Sequence, residues 1–244
     1  MAATNTLAQV TIAAVLEEKF LQACTEGDSE VCRASVMDLQ SWYPASSEAV
    51  QELLGYAFSC AAAHNQIEIM ELLLYPTRAT ASNSNSSVAL SKDIHECLLY
   101  GMCRWEKYYP RRPRFQCCYA LRYLAYAAIV CVEQNAFQAL EFLVKQQGHP
   151  TPELLVDTDV VRCFRYAVEL GSDFNAPAPE AYRPMMMMLL YRYPVLLLPH
   201  VNGKHDNDPD ESISRSTRKH MESLRASLLF EYVTNPQLHP KTEW

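Results

Sequence analysis

Two stretches of this chain, seventy positions apart, share one grammar, and no other feature constrains the fold as tightly. GYAFSCAAAHNQIEIMELLLY and AYAAIVCVEQNAFQALEFLVK align with Tyr56 on Tyr126, Ala57 on Ala127, Ile67 on Phe137, Met70 on Leu140 and Leu73 on Leu143. Each reads as a helix rich in small residues, a polar turn and a second, apolar helix. Such a unit cannot bury its apolar flank alone, so it must stack against a neighbour. FLQACTEGDSEVCRASVMDL follows the same plan, and so does the stretch before Gly171. A spacing of seventy then reads as two units of about thirty-five residues each.

The rest of the chain is helical in period with few competing strand patterns. TLAQVTIAAVLEEKFLQACTEG ends near Gly27, a fitting C-cap. DSEVCRASVMDLQSWY opens with Asp28 or Ser29 as N-cap. SSEAVQELLGYAFSCAAAHN is a third helix, and QIEIMELLLY a fourth, stopped by Pro76. PTRATASNSNSSVALS is too polar to offset its ordering entropy, which predicts a flexible loop over 77–92. Helical pattern resumes at KDIHECLLYGM, is interrupted by RWEKYYPRRPR, and continues through FQCCYALRYLAYAAIVCVEQN, AFQALEFLVKQ and TPELLVDTDVVRCFRYAVEL. PMMMMLLYRY follows, with at least two of its four methionines expected in the core. The expected layout is a helical-repeat domain over 1–200, a polar linker over 201–211, a C-terminal helix over 212–234 and a tail over 235–244.

The segment GSDFNAPAPEAYRP, residues 171–184, carries a resemblance. It looks like the Gly-Ala-Asp-Val-Asn-Ala finger of the ankyrin-repeat family, with Tyr182-Arg183-Pro184 where that family commonly writes Tyr-Thr-Pro. TPELL at Thr151-Pro152 resembles the family's helix opener, and AAAHNQIEIMELLL its two-helix core. In physical terms, Gly171 suits a left-handed helix end, Asp173 and Asn175 suit a held turn, and Pro184 suits a helix's first turn. The resemblance covers about three-fifths of the chain. It implies an all-α solenoid of stacked antiparallel helix pairs, roughly four degenerate units capped by the C-terminal helix. It also implies protein–protein binding without catalysis, at finger tips and the inner helix face, which points to Asp173, Asn175, Tyr182 and Arg183. A generic helical-pair array of another kind is the alternative.

Composition bounds the function. No run of eighteen apolar residues exists, and the N-terminus has no basic start followed by an apolar block. The expected setting is therefore the cytoplasm or nucleus, with no membrane. Nine cysteines, an odd count set mostly in apolar helical patterns, read as core thiols. No Cys-x-x-Cys pair is present, so no metal site is expected. Six glycines are too few for a Gly-rich phosphate cradle, and no nucleophile-elbow or dinucleotide motif occurs. We therefore expect no catalytic residue and no cofactor.

The exception to the net charge of −7 is RWEKYYPRRPR. Arg104, Lys107, Arg111, Arg112 and Arg114 give five positive charges against Glu106, interleaved with Trp105, Tyr108 and Tyr109. Guanidinium forks bind carboxylates, and aromatic faces stack on peptide or guanidinium. This patch suits a partner protein, in particular an acidic peptide segment. One basic run on an acidic chain makes nucleic acid a poorer partner. Two other readings stay open: an enzyme with a pocket near Trp105, Tyr108 and Tyr109, and a phosphate or nucleic-acid binder acting through Arg111–Arg114.

Overall fold

Gly27 ends the first helix as its position predicts. Its φ is +84°, and its N–H and that of Asp28 both donate to the Ala23 carbonyl, at 2.9 and 3.0 Å. Asp28 then caps the second helix, its Oδ1 accepting the Val31 N–H at 2.9 Å. Helix α1 spans Ala2–Glu26 and α2 spans Ser29–Trp42; α3 spans Glu48–Ala63 and α4 spans Ile67–Leu74. Residues 94–100 form α5. Helices α6 (Tyr123–Glu133), α7 (Phe137–Lys145), α8 (Asp157–Ser172) and α9 (Arg183–Arg192) follow, with a 3-10 turn over Pro179–Tyr182 before α9. The computed structural model describes residues 2–42, 47–75, 94–103, 121–145, 154–172 and 179–192, plus Ser223, Ala226, Ser227, Phe230 and Thr234, all five helical. The expected loop 77–92, the linker 201–211 and the tail 235–244 lie outside them. Among the described residues the fold is all-helical, with one isolated β-bridge.

The described residues form two compact units, Met1–Leu143 and Val144–Trp244. In the first, α1 packs on α2 and α3, α2 on α4, and α3 on α4 and α6. Its core runs through Phe20, Cys24, Leu39, Leu53, Phe58, Ile69, Met70, Leu73, Leu98, Leu124, Cys131 and Leu140, all nearly inaccessible. Each large apolar side chain among them contributes about 1.5–3 kcal/mol through burial. Helix α6 is buried over almost its whole length. A helix apolar all round needs neighbours on several sides, and α3 is one of them.

The two similar stretches share a hydrogen-bond pattern at their turns. Asn65 and Asn135 both take the left-handed conformation, at φ of 56° and 53°. Asn65 N–H donates to Ala62 O and Gln66 N–H to Ala61 O; seventy residues on, Asn135 N–H donates to Val132 O and Ala136 N–H to Cys131 O. Asparagine tolerates this backbone better than other residues with a Cβ. Helices α3 and α6 are in direct contact, so the α3–α4 and α6–α7 pairs are immediate neighbours. Residues 75–122 lie between the two pairs in sequence, and α5 is the one helix there among the described residues.

Side chains from one turn complete helix ends before and after it in the chain. Asn65 Oδ1 accepts the N–H of Ala139, third residue of α7, at 3.0 Å. The early N–H groups of a helix have no partner within it, and here the neighbouring turn supplies one. Gln66 Nε2 likewise donates to the Thr25 carbonyl in the last turn of α1, at 3.0 Å. The side chain of Gln66 also occupies the space a Cβ on Gly27 would need.

In the second unit α8 packs on the 3-10 turn and on α9. Val160, Cys163, Phe164, Tyr166, Ala167, Met185, Met186, Leu189 and Leu190 form its core. Two of the four methionines are thus fully buried, as expected. Asp159, itself buried, reaches back from the first turn of α8 to the Val156 N–H and also pairs with Arg162, both at 3.4 Å. A carboxylate there meets the unsatisfied N–H groups and positive end of the helix.

Three expectations need correction. Gly171 is not a left-handed cap, because α8 continues through Ser172. The TPELL stretch does not open a helix at its two leucines: Leu154 and Leu155 form a buried bend, and α8 begins at Asp157. Before α6, Leu121 and Arg122 are extended rather than helical, because they pair with the segment leaving α5.

Candidate functional site

Residues 104–120, which carry the basic stretch, lie in sequence between Cys103 and Leu121, and these two points are joined. Met102 and Arg122 form an antiparallel bridge, Cys103 N–H donates to Leu121 O at 2.7 Å, and Tyr123 N–H donates to Gly101 O at 3.0 Å. The side chains alternate as extended chain requires. Cys103, Leu121 and Tyr123 point inward, whereas Met102 is 41% exposed. Arg122 turns its guanidinium to the Leu99 carbonyl at the end of α5, at 3.3 Å, where a cation is favoured.

Two glycines permit this neck. The ring of Tyr123 occupies the space a Cβ would need on both Gly55 of α3 and Gly101. The Cβ of Gly101 would also strike the Cys97 carbonyl, which accepts the Gly101 N–H at 2.7 Å. Helix α5 is fastened in turn. His95 Nδ1–H donates to the Leu74 carbonyl at 2.7 Å, completing the end of α4, and its ring lies 5.7 Å from that of Tyr75. Cys97 Sγ contacts the Gln51 carbonyl of α3 at 3.8 Å. On the outside of this fixed base Tyr100 stands 66% exposed.

The candidate contact residues fall as follows. Arg104, Trp105, Lys107, Tyr108, Tyr109, Arg111, Arg112 and Arg114 lie outside the described residues, as do Asp173 and Asn175. Tyr182, expected on a binding surface, is buried at 8% exposure; it ends the 3-10 turn, which packs on α8 and α9. Arg183 is adjacent and half-buried, as the first residue of α9. Tyr100, Met102 and Arg122 were not among the expected contact residues. The signal was present, because an insertion between two halves of a stacked repeat must begin and end close together.

Thiols and phenols gather where α3 and α6 meet. The Tyr56 hydroxyl donates to Cys60 Sγ, and Tyr126 feels Cys103, Glu133, Tyr56 and Cys60. Burial pushes the Cys60 thiol up to about 11, against the opposing pull of the Tyr56 hydrogen bond, and burial pushes Cys97 up to about 12. Tyr56 and Tyr126 are raised too, first by burial. These groups hold their protons at neutral pH. His64 and His95 spend Nδ1 on backbone carbonyls, Cys60 O and Leu74 O. Among the described residues no three His, Cys, Asp or Glu side chains converge to hold a metal ion, and no helix is long and apolar enough to cross a membrane. No family model, curated protein or solved structure matches the chain.

Proposed function

We propose that this protein is a non-catalytic protein–protein interaction module, an ankyrin-like stack of helix pairs whose basic, aromatic insert captures an acidic segment of a partner. The observation that carries this reading is the closed neck. Three hydrogen bonds, Cys103 to Leu121, Tyr123 to Gly101 and Arg122 to Leu99, bring the two ends of residues 104–120 together. Joining the ends of a long excursion lowers the entropy it loses on binding. Long inserts inside compact domains are more often functional than structural. The exposed Tyr100 and Met102 put apolar contact area next in sequence to a stretch with five cations, a combination suited to an acidic peptide with one apolar anchor. Cys60 and Cys97 are poorly suited to nucleophilic catalysis, since a reactive cysteine needs its acidity increased and burial raises both.

Fluorescence anisotropy tests the proposal. The full chain is titrated into a labelled Asp/Glu-rich peptide containing one Tyr or Leu, a basic peptide of equal length and a single-stranded oligonucleotide. The acidic peptide should bind, and Arg111→Glu, Arg112→Glu and Arg114→Glu together should weaken it about tenfold or more. Unchanged affinity in the triple variant refutes the assignment to the insert. Preference for the oligonucleotide, with a steep loss of affinity on adding salt, favours the phosphate-binding reading instead.

A further inference from the structure

Cys24 and Cys32 meet inside the first helix pair. Their Sγ atoms are 3.7 Å apart, within the reach of a thiol–thiol hydrogen bond, and both side chains are fully buried. Cys24 lies in the last turn of α1 and Cys32 in the first turn of α2. The turn between them is fixed on both sides. Gly27 and Asp28 donate to Ala23 O, Cys32 N–H donates to Asp28 O at 2.9 Å, and Asp28 Oδ1 holds Val31. Gln66 of the next turn clamps Thr25 from outside. Burial as small apolar residues explains why each cysteine is inside. It does not require two sulfurs in contact across a turn this rigid.

We propose that Cys24 and Cys32 form a dithiol site that a peroxide-class oxidant closes to a disulfide, locking α1 to α2. One thiol takes an oxygen atom from the peroxide, becoming a sulfenic acid and releasing one water. The second sulfur attacks the first, the S–S bond forms, and the displaced hydroxide leaves as a second water with the attacking thiol's proton. Two electrons leave the sulfurs and two enter the cleaved O–O bond. The sulfurs must approach from 3.7 Å to about 2 Å, a small displacement for side chains already in contact. The hydrogen bond that Cys24 gives to Cys32, then burial, then the charge of Cys32 and of Cys60 all oppose ionisation of Cys24. Closure therefore waits on local opening of the helix pair and is slower than oxidation of the half-exposed Cys60 and Cys97.

The test treats the full chain with hydrogen peroxide under native conditions, denatures it, alkylates free thiols and digests it with trypsin. Cleavage after Lys19 and Arg33 leaves both cysteines in one peptide, residues 20–33. That peptide should appear unalkylated and lighter by two hydrogens, and should return to the alkylated form after dithiothreitol. The oxidised protein should melt about 5 °C or more higher, an increase absent in Cys24→Ala and Cys32→Ala. The mapping on unaltered protein decides the site even if a variant folds poorly. Full alkylation of Cys24 and Cys32 after exposure long enough for the amides of both residues to exchange with solvent overturns the proposal, as does a bridge joining Cys24 to Cys60. A closed peptide with no rise in melting temperature overturns the locking role.

Discussion

Gly55 shows how much of this fold rests on missing atoms. The ring of Tyr123 lies where its Cβ would be, so Gly55→Ala forces either the ring or α3 to move. Overpacking of this kind costs about 1–3 kcal/mol, and urea unfolding should report that loss. Tyr123→Leu should cost stability by itself but add less than its own cost in the Gly55→Ala background, because the clash is then gone. The raised thiols give a pH prediction. An ordinary cysteine ionises near 9.0, whereas Cys60 waits until about 11 and Cys97 until about 12. Between those values the unfolded chain releases protons that the folded chain keeps, so the stabilisation is complete below pH 9 and is lost as pH rises through 11 to 12. Denaturation midpoints should fall over that window, and alkylation of Cys60 in native protein should lag behind that of a free thiol until pH approaches 11. Local chemistry made several of these residues legible. Gly27, Asp28 and Pro184 act within one turn of themselves, and the sequence shows that turn. Gly171 and Tyr182 misled for the opposite reason. A glycine tolerates a helix interior when the helix is held elsewhere, and a tyrosine in a finger-like motif goes inside when α8 and α9 leave it room.

At the scale of elements, the insert and its neck separate. Because Cys103 N–H and Leu121 O are already in contact, a short Gly-Ser link can replace residues 104–120 without opening the helix pairs. Circular dichroism of that variant should keep the helical signal, and its melting temperature should stay close to that of the full chain. Its affinity for the acidic peptide should disappear. Loss of cooperative unfolding would mean that the insert is part of the core instead. The position of the basic stretch was readable, because RWEKYYPRRPR interrupts the helical pattern after KDIHECLLYGM. Its closure was not, because a bridge between Met102 and Arg122 depends on tertiary approach and leaves no local pattern. The same limit explains Leu121 and Arg122. Their neighbours are helix formers, and the contact with Gly101 and Met102 overrides that preference.

For the whole molecule, the claim that matters is adjacency. The seventy-residue period fits two units separated by a third as readily as it fits two neighbours with an insert, since spacing alone contains no contact. Contacts decide it: α3 meets α6, and Asn65 of one turn completes the start of α7 in the next. The most direct test is amide hydrogen exchange at Ala139, followed by NMR in the full chain and in Asn65→Gly. Glycine keeps the left-handed turn available and removes only the side-chain acceptor. If the pairs are neighbours, exchange at Ala139 should accelerate about five- to tenfold while Asn135 and Ala136 keep their protection. An Ala139 amide that exchanges at the same rate in both proteins would contradict the stacking of these two helix pairs.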